Sequence, residues 1–170
     1  MSVLIGIKES VQQVAEAISI AVGLEVEIVD NRLRILGGTG YYHGCIGKKE
    51  EDGNLEGNYL YARVLRTGKT QYVEDAQNFK GYDQPVVGNT RLGELAEICT
   101  PIVLKGKIIG IIGLVAFTED QKHIIKDKRE SMTVFVEKMA DLLSAKADQR
   151  ETLENVEVSR DEMSIVLETA

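Results

Sequence analysis

Cysteine is scarce in this chain: Cys45 and Cys99 are the only two, far apart in sequence. That excludes a disulfide-stapled secreted scaffold, and with no signal segment ahead of them the pair reads as reduced thiols of a cytoplasmic protein. Long apolar runs are missing as well. The longest, "IIGIIGLVAF" (Ile108–Phe117), carries two glycines and is about half of what a bilayer requires, so no membrane partner is expected. Positive charge is in short supply too. Against 27 acidic residues there are 20 basic ones, a net charge of −7, which is the wrong balance for gripping nucleic acid through its phosphates.

The usual chemistry-bearing motifs are absent in turn. "GGTGYYHGCIG" (Gly37–Gly47) packs five glycines into eleven residues. Gly38-Thr39-Gly40 opens like a nucleotide fingerprint, but His43 stands where the next glycine belongs and no Gly-Lys-Ser/Thr follows. His43 and Cys45 could begin a metal site, yet the only other histidine is His123 and the only other cysteine Cys99, so the paired ligands of a closed zinc site are lacking. No metal is assigned and the cofactor stays unknown. A nucleophilic thiol needs a base beside it. Cys45 has His43 two residues away, whereas Glu94 and Glu97 near Cys99 would raise its pKa, and Cys99 reads as a small buried hydrophobe at a strand start. No catalytic pair emerges, and the chain is read as a non-enzyme.

What is present is ordinary globular material. With 170 residues, 44% of them apolar and 28% charged, the chain can bury one core and carry an appendage. Val11, Val14, Ala15, Ile18 and Val22 repeat at helical spacing and Gly23 closes the helix. "EVEIVD" (Glu25–Asp30) alternates and turns at Asp30-Asn31 into a second strand, Arg32–Leu36. A second helix is expected over Glu56–Thr67, closed by Gly68, then a strand over Thr70–Asp75 and a long irregular stretch, Ala76–Leu95. "EICTPIVL", Lys105-Gly106 and "KIIGIIGLVAF" read as a hairpin whose second strand is covered on both faces. Thr118-Glu119-Asp120-Gln121 is a capping box, and the helix it opens is expected to run to the end of the chain. Heptads continue through it, one set at Met132, Met139, Lys146, Leu153, Arg160 and Leu167, the other at Phe135, Leu142, Gln149, Val156 and Met163. This predicts a parallel homodimer through the C-terminal helix, with residues 1–120 as one domain and 121–170 as the signalling helix. The chain ends on "SIVLETA" without a stop signal, which reads as a joint to further domains.

Aromatic residues make up only 5% of the chain, yet five of the six tyrosines, at 41, 42, 59, 61 and 72, precede the long loop closely and the sixth, Tyr82, lies in it. Together they suggest an amphipathic cavity for a small polar ligand. Thr39, Tyr41, Tyr42, His43, Tyr61, Arg63, Tyr82, Arg91 and Cys99 are the candidate ligand-binding residues, the two arginines suiting a carboxylate or phosphate.

Three segments, "VQQVAEAISIAVGLEVEIVDNRLRILGGTGYY", "YARVLRTGKTQYVED" and "ELAEICTPIVLKGKIIGIIGLVAFTEDQ", resemble the GAF domain that opens bacterial sigma-54-dependent transcriptional activators, and they cover most of Val11–Gln121. The resemblance implies an α+β fold of GAF/PAS type: an antiparallel sheet flanked by helices, followed by a long coiled-coil-like C-terminal helix. It implies small-molecule sensing, with no direct nucleic acid contact by this domain. Relatives with this type of sensor often carry a cysteine cluster before the "EICTPI" segment; here residues 78–94 hold no cysteine. Closure of the Ala76–Glu94 loop over a ligand is the expected signal. A thiol-dependent reductase on a GAF fold and a ligand-free dimerisation scaffold are the alternatives.

Overall fold

The computed structural model describes residues 2–81, 83, 86–87 and 90–169, with the backbone alone at Val86, Thr90 and Arg91. Its centre is a five-stranded, wholly antiparallel sheet. After a 3-10 turn at Val3–Ile7 comes α1 (Lys8–Val22), then β1 (Glu25–Asp30) and β2 (Ile35–Gly38). Next are α2 (Leu60–Thr67), β3 (Gln71–Val73), a small ribbon of β4 (Val86–Val87) and β5 (Thr90–Arg91), and the long hairpin β6 (Ala96–Leu104) and β7 (Lys107–Ala116). Helices α3 (Glu119–Asp127) and α4 (Arg129–Thr169) close the chain. The strand order is β2-β1-β7-β6-β3, which puts the apolar strand β7 in the middle, buried on both faces as its sequence requires.

The alternation of each strand divides the core in two. Val26 and Ile28, Ile112 and Leu114, and Ile98 and Ile102 point to one side, where they meet Val11, Ala15 and Ile18 of α1 and Val136, Ala140, Leu143 and Ala147 of α4. Val29, Ile111, Val115 and Cys99 point to the other side and are roofed by Tyr42, Leu60, Tyr61 and Val64. Each fully buried Ile or Leu contributes about 1.5–3 kcal/mol, so these two layers dominate stability.

Helix ends follow their local signals. Gly23 and Gly68 end α1 and α2 in the left-handed conformation (φ 74° and 67°), and Lys105-Gly106 turns the long hairpin with both residues at positive φ. The capping box forms in full: the Thr118 hydroxyl accepts from the Gln121 N–H while the Gln121 side chain accepts from the Thr118 N–H.

Several boundaries differ from expectation. β2 begins at Ile35 rather than Arg32, because the Asp30 carboxylate accepts from the N–H groups of Arg32 and Arg34 and holds 31–33 in a turn. Helix α2 starts at Leu60, four residues late, and β3 is trimmed to three residues. Gly40–Cys45 winds as a 3-10 helix instead of leaving the sheet as an open loop, and part of the irregular stretch after Ala76 pairs as β4–β5. The C-terminal helix is two helices. At Lys128 (φ −115°, ψ 26°) the chain breaks, which lets both Ile125 and the later Val136–Ala147 stripe bury in one core. Met132, Phe135 and Met139, the apolar start of the heptad pattern, pack partly against that same core. The packed body therefore runs on to Ala147, and the helix beyond it is exposed.

Candidate functional site

The sheet face away from α1 and α4 carries two glutamates where a core would normally hold aliphatics. Glu27 lies on β1 directly opposite Gly113 of β7, and Gly113 lies opposite Cys99 of β6, two residues from Glu97 on the same face. A Cβ on Gly113 would collide with the Tyr61 hydroxyl and sit 2.7 Å from a Glu97 oxygen, so only glycine leaves the floor open between the two carboxylates. Tyr61 comes down from α2, and Tyr42 from the 3-10 helix at Gly40–Cys45. That helix lies hard against the sheet end, since a Cβ at Gly38 would meet the Tyr42 backbone at 2.9 Å.

Two more glutamates arrive from loops. The segment after the 3-10 helix returns along β2, with the Ile35 N–H donating to the Lys48 carbonyl and the Glu50 N–H to the Leu33 carbonyl, which tucks Glu50 inward. Glu50 also bridges to Val87 of the β4–β5 ribbon, whose Val87 joins Leu92 in the roof. Glu94, just ahead of β6, receives a hydrogen bond from the Tyr42 hydroxyl. Glu27, Glu50, Glu94 and Glu97 are all at most 2% exposed.

Their titration is governed by burial, by one another's charges and by hydrogen bonds. Burial, then the charge of Glu50, pushes the Glu27 carboxyl well above the carboxylate range. Burial, then Glu94, does the same to Glu97. Burial raises Glu50 to about 8 and Glu94 to about 7, each relieved in part by hydrogen bonds, from Glu27 to Glu50 and from Tyr42 and Glu97 to Glu94. As carboxylates alone, both oxygens of Glu27, one of Glu94 and one of Glu97 have no partner; only a proton on Glu27 or Glu97 lets it donate to its neighbour. The Tyr61 hydroxyl, on a side chain 3% exposed, stands beside Glu97 and draws its carboxyl down in part, but makes no well-formed hydrogen bond. An unpartnered buried polar atom costs about 1–3 kcal/mol, so such a concentration marks a place that a bound species completes.

The residues expected at the site fall in different places. Tyr42 and Tyr61 are buried in it, and Cys99 lies in the same layer. Thr39 spends its hydroxyl locally, accepting from the Val26 N–H and donating to Glu25. Tyr41 is half exposed and its ring stands against those of Tyr42 and Phe117, while His43 faces solvent. Arg63 donates to the Gly81 carbonyl and to Asn58. Arg91 is placed by its backbone in β5, opposite Val86, and Tyr82 lies outside the described residues. The four glutamates were not among the expected residues. Their signal was Glu27 on the inward parity of β1, which becomes meaningful only once β1 is known to be covered on both faces.

A model of the GAF domain family matches residues 8–143. The sigma-54-dependent transcriptional regulator UacR of Escherichia coli (strain K12), a protein named for uric acid, is 31% identical over 146 residues. The match takes in 81% of this chain but 24% of that regulator, so the chain spans about a quarter of its relative's length. Among solved structures, a type II free methionine-R-sulfoxide reductase from Thermoplasma acidophilum superimposes with a TM-score of 0.59 at 16% identity, covering 84% of this chain and 92% of that one. The GAF domain of nlh2 from A. aeolicus, in an inactive state, gives 0.57 at 18% identity, covering 84% and 85%. Both likenesses concern the fold. No helix among the described residues is long and apolar enough to cross a membrane.

Proposed function

Because the chain belongs to the GAF domain family, we propose that it is the sensory module of a cytoplasmic sigma-54-dependent transcriptional regulator, binding a small ligand between the sheet and its Tyr42–Tyr61 roof. The observation that carries this reading is the group of buried carboxyls, Glu27, Glu50, Glu94 and Glu97, with the Tyr61 hydroxyl among them, whose oxygens the protein satisfies only in part on one side of the sheet. A purely structural core has no use for them, and a binding site has. Nucleic acid contact and ATP hydrolysis belong to parts of the regulator beyond this chain.

The relay follows from connectivity. Glu94 leads straight into β6, whose opposite face carries Ile98 and Ile102 beneath α4. Closure of the Ala76–Glu94 loop over a ligand pulls on β6 from one side, and α4 answers on the other. The exposed positions Leu153, Val156, Met163 and Leu167 form the seam through which two chains pair, giving the helix two packings to choose between. The reductase reading has little to stand on. Burial, followed by Glu97 and Glu94, raises the Cys99 thiol well above its ordinary pKa, and burial raises that of Cys45 as well, the reverse of what a reactive thiol needs.

Native mass spectrometry of the protein as purified, set against its denatured mass, tests the reading. A dimer with a dissociable adduct on each chain is the expected result. A monomer without adduct, whose melting temperature no small molecule in a metabolite panel shifts, would overturn it.

A further inference from the structure

We propose that Glu27, Glu50 and Glu94 bind one oxygen-preferring divalent metal ion, of the calcium and manganese class, where they converge on this face of the sheet. The step goes beyond the sensory reading and rests on the placement of side chains alone. One carboxylate oxygen from each of the three residues lies within 4.8 Å of the other two. A single point is then within about 2.8 Å of all three, close to the roughly 2.3–2.6 Å at which calcium takes oxygen ligands and looser than the tight octahedron of magnesium. The three donors come from β1, from the segment returning beside β2 and from the lead into β6, so the ion would tie together three separate parts of the chain.

Independent support comes from groups around the triad. Tyr61 is 3% exposed, and its hydroxyl makes no well-formed hydrogen bond where it stands over Gly113, next to Glu97 and facing Glu27 across the floor. It is placed to donate a hydrogen bond to a water on the ion or to accept one from it. Tyr42 donates to Glu94 and orients that carboxylate from outside, as outer partners of metal ligands commonly do. The donor set is all oxygen; the nearby Cys99 thiol is buried among carboxylates and stays protonated, so thiophilic ions have no advantage here.

The test uses the intact chain, stripped with EDTA and then titrated with Mn2+ while free Mn2+ is followed by its EPR signal. One tight Mn2+ per chain is expected, displaced by Ca2+. Glu50→Gln and Glu94→Gln should each weaken it at least tenfold, while Glu157→Gln on the exposed helix leaves it unchanged. Should a variant fold poorly, tyrosine-sensitised Tb3+ emission from the parent gives a second reading, because Tyr42 touches Glu94; Ca2+ should quench it. Absence of Mn2+ binding at millimolar concentration, or binding indifferent to both variants, overturns the proposal and leaves the sensory reading intact. A primary amine or an N–H-rich heterocycle that stabilises the EDTA-treated protein, and loses its effect in Glu50→Gln, also overturns the metal assignment while upholding this face of the sheet as a ligand site.

Discussion

A buried carboxyl whose pKa is raised works against the fold as pH increases. Glu50 and Glu94, raised from 4.5 to about 8 and about 7, hold protons in the native state that the unfolded chain releases near 4.5. The native state therefore binds more protons through this window, and stability falls with rising pH by up to about 1.4 kcal/mol per pH unit for each group titrating. In metal-free protein, urea denaturation should show stability declining from about pH 5 to about pH 8, with Glu50→Gln flattening the decline. A flat profile in the parent would mean the cluster is already neutralised. Gly113→Ala should cost about 1–3 kcal/mol in the same assay, since the added methyl drives into Tyr61 and Glu97. The sequence made the tyrosines legible as a group because aromatics are rare and clustered here, and Tyr42 and Tyr61 of that group are buried in one layer. It hid the glutamates, since an acidic residue in a strand ordinarily faces water and Glu50 comes from a loop with no regular pattern.

Among the elements, those with strong local chemistry were readable without coordinates. The capping box at Thr118, the Lys105-Gly106 turn, the glycine stops after α1 and α2, and the two-sided burial of β7 all stand where the pattern put them. The starts of β2 and α2 were not readable: the Asp30 carboxylate draws the N–H groups of Arg32 and Arg34 into a local turn that competes with the strand, and the helix begins only at Leu60. The break at Lys128 escaped for another reason. Helix α3 buries Ile125 and the first half of α4 buries Val136, Ala140, Leu143 and Ala147, and nothing in the spacing tells one straight helix from two that bend to share a core. Thr118→Ala removes a hydroxyl that caps α3 and should cost about 1 kcal/mol, with faster amide exchange confined to the first turn of α3. Exchange quickening equally through β6 and β7 would show that the cap governs the sheet as well.

The whole molecule is a packed body with a helix standing out of it. Leu143 and Ala147 are buried, whereas Leu153, Val156, Met163 and Leu167 are all more than half exposed. Ending the chain after Ala147 should therefore leave the melting temperature nearly unchanged and convert a dimer to a monomer in sedimentation velocity. A dimer that survives the cut would place the contact on the body instead. The anchoring of α4 also has a geometric result. Residues 148–169 reach about 33 Å past the last buried side chain, so a tilt of about 5° at Ala147 sweeps the far end through about 3 Å. Displacements too small to see beneath the sheet become, at the tip, about half of the roughly 5–6 Å between neighbouring side chains on a helix face. The free helix is a lever whose fulcrum is Ala147.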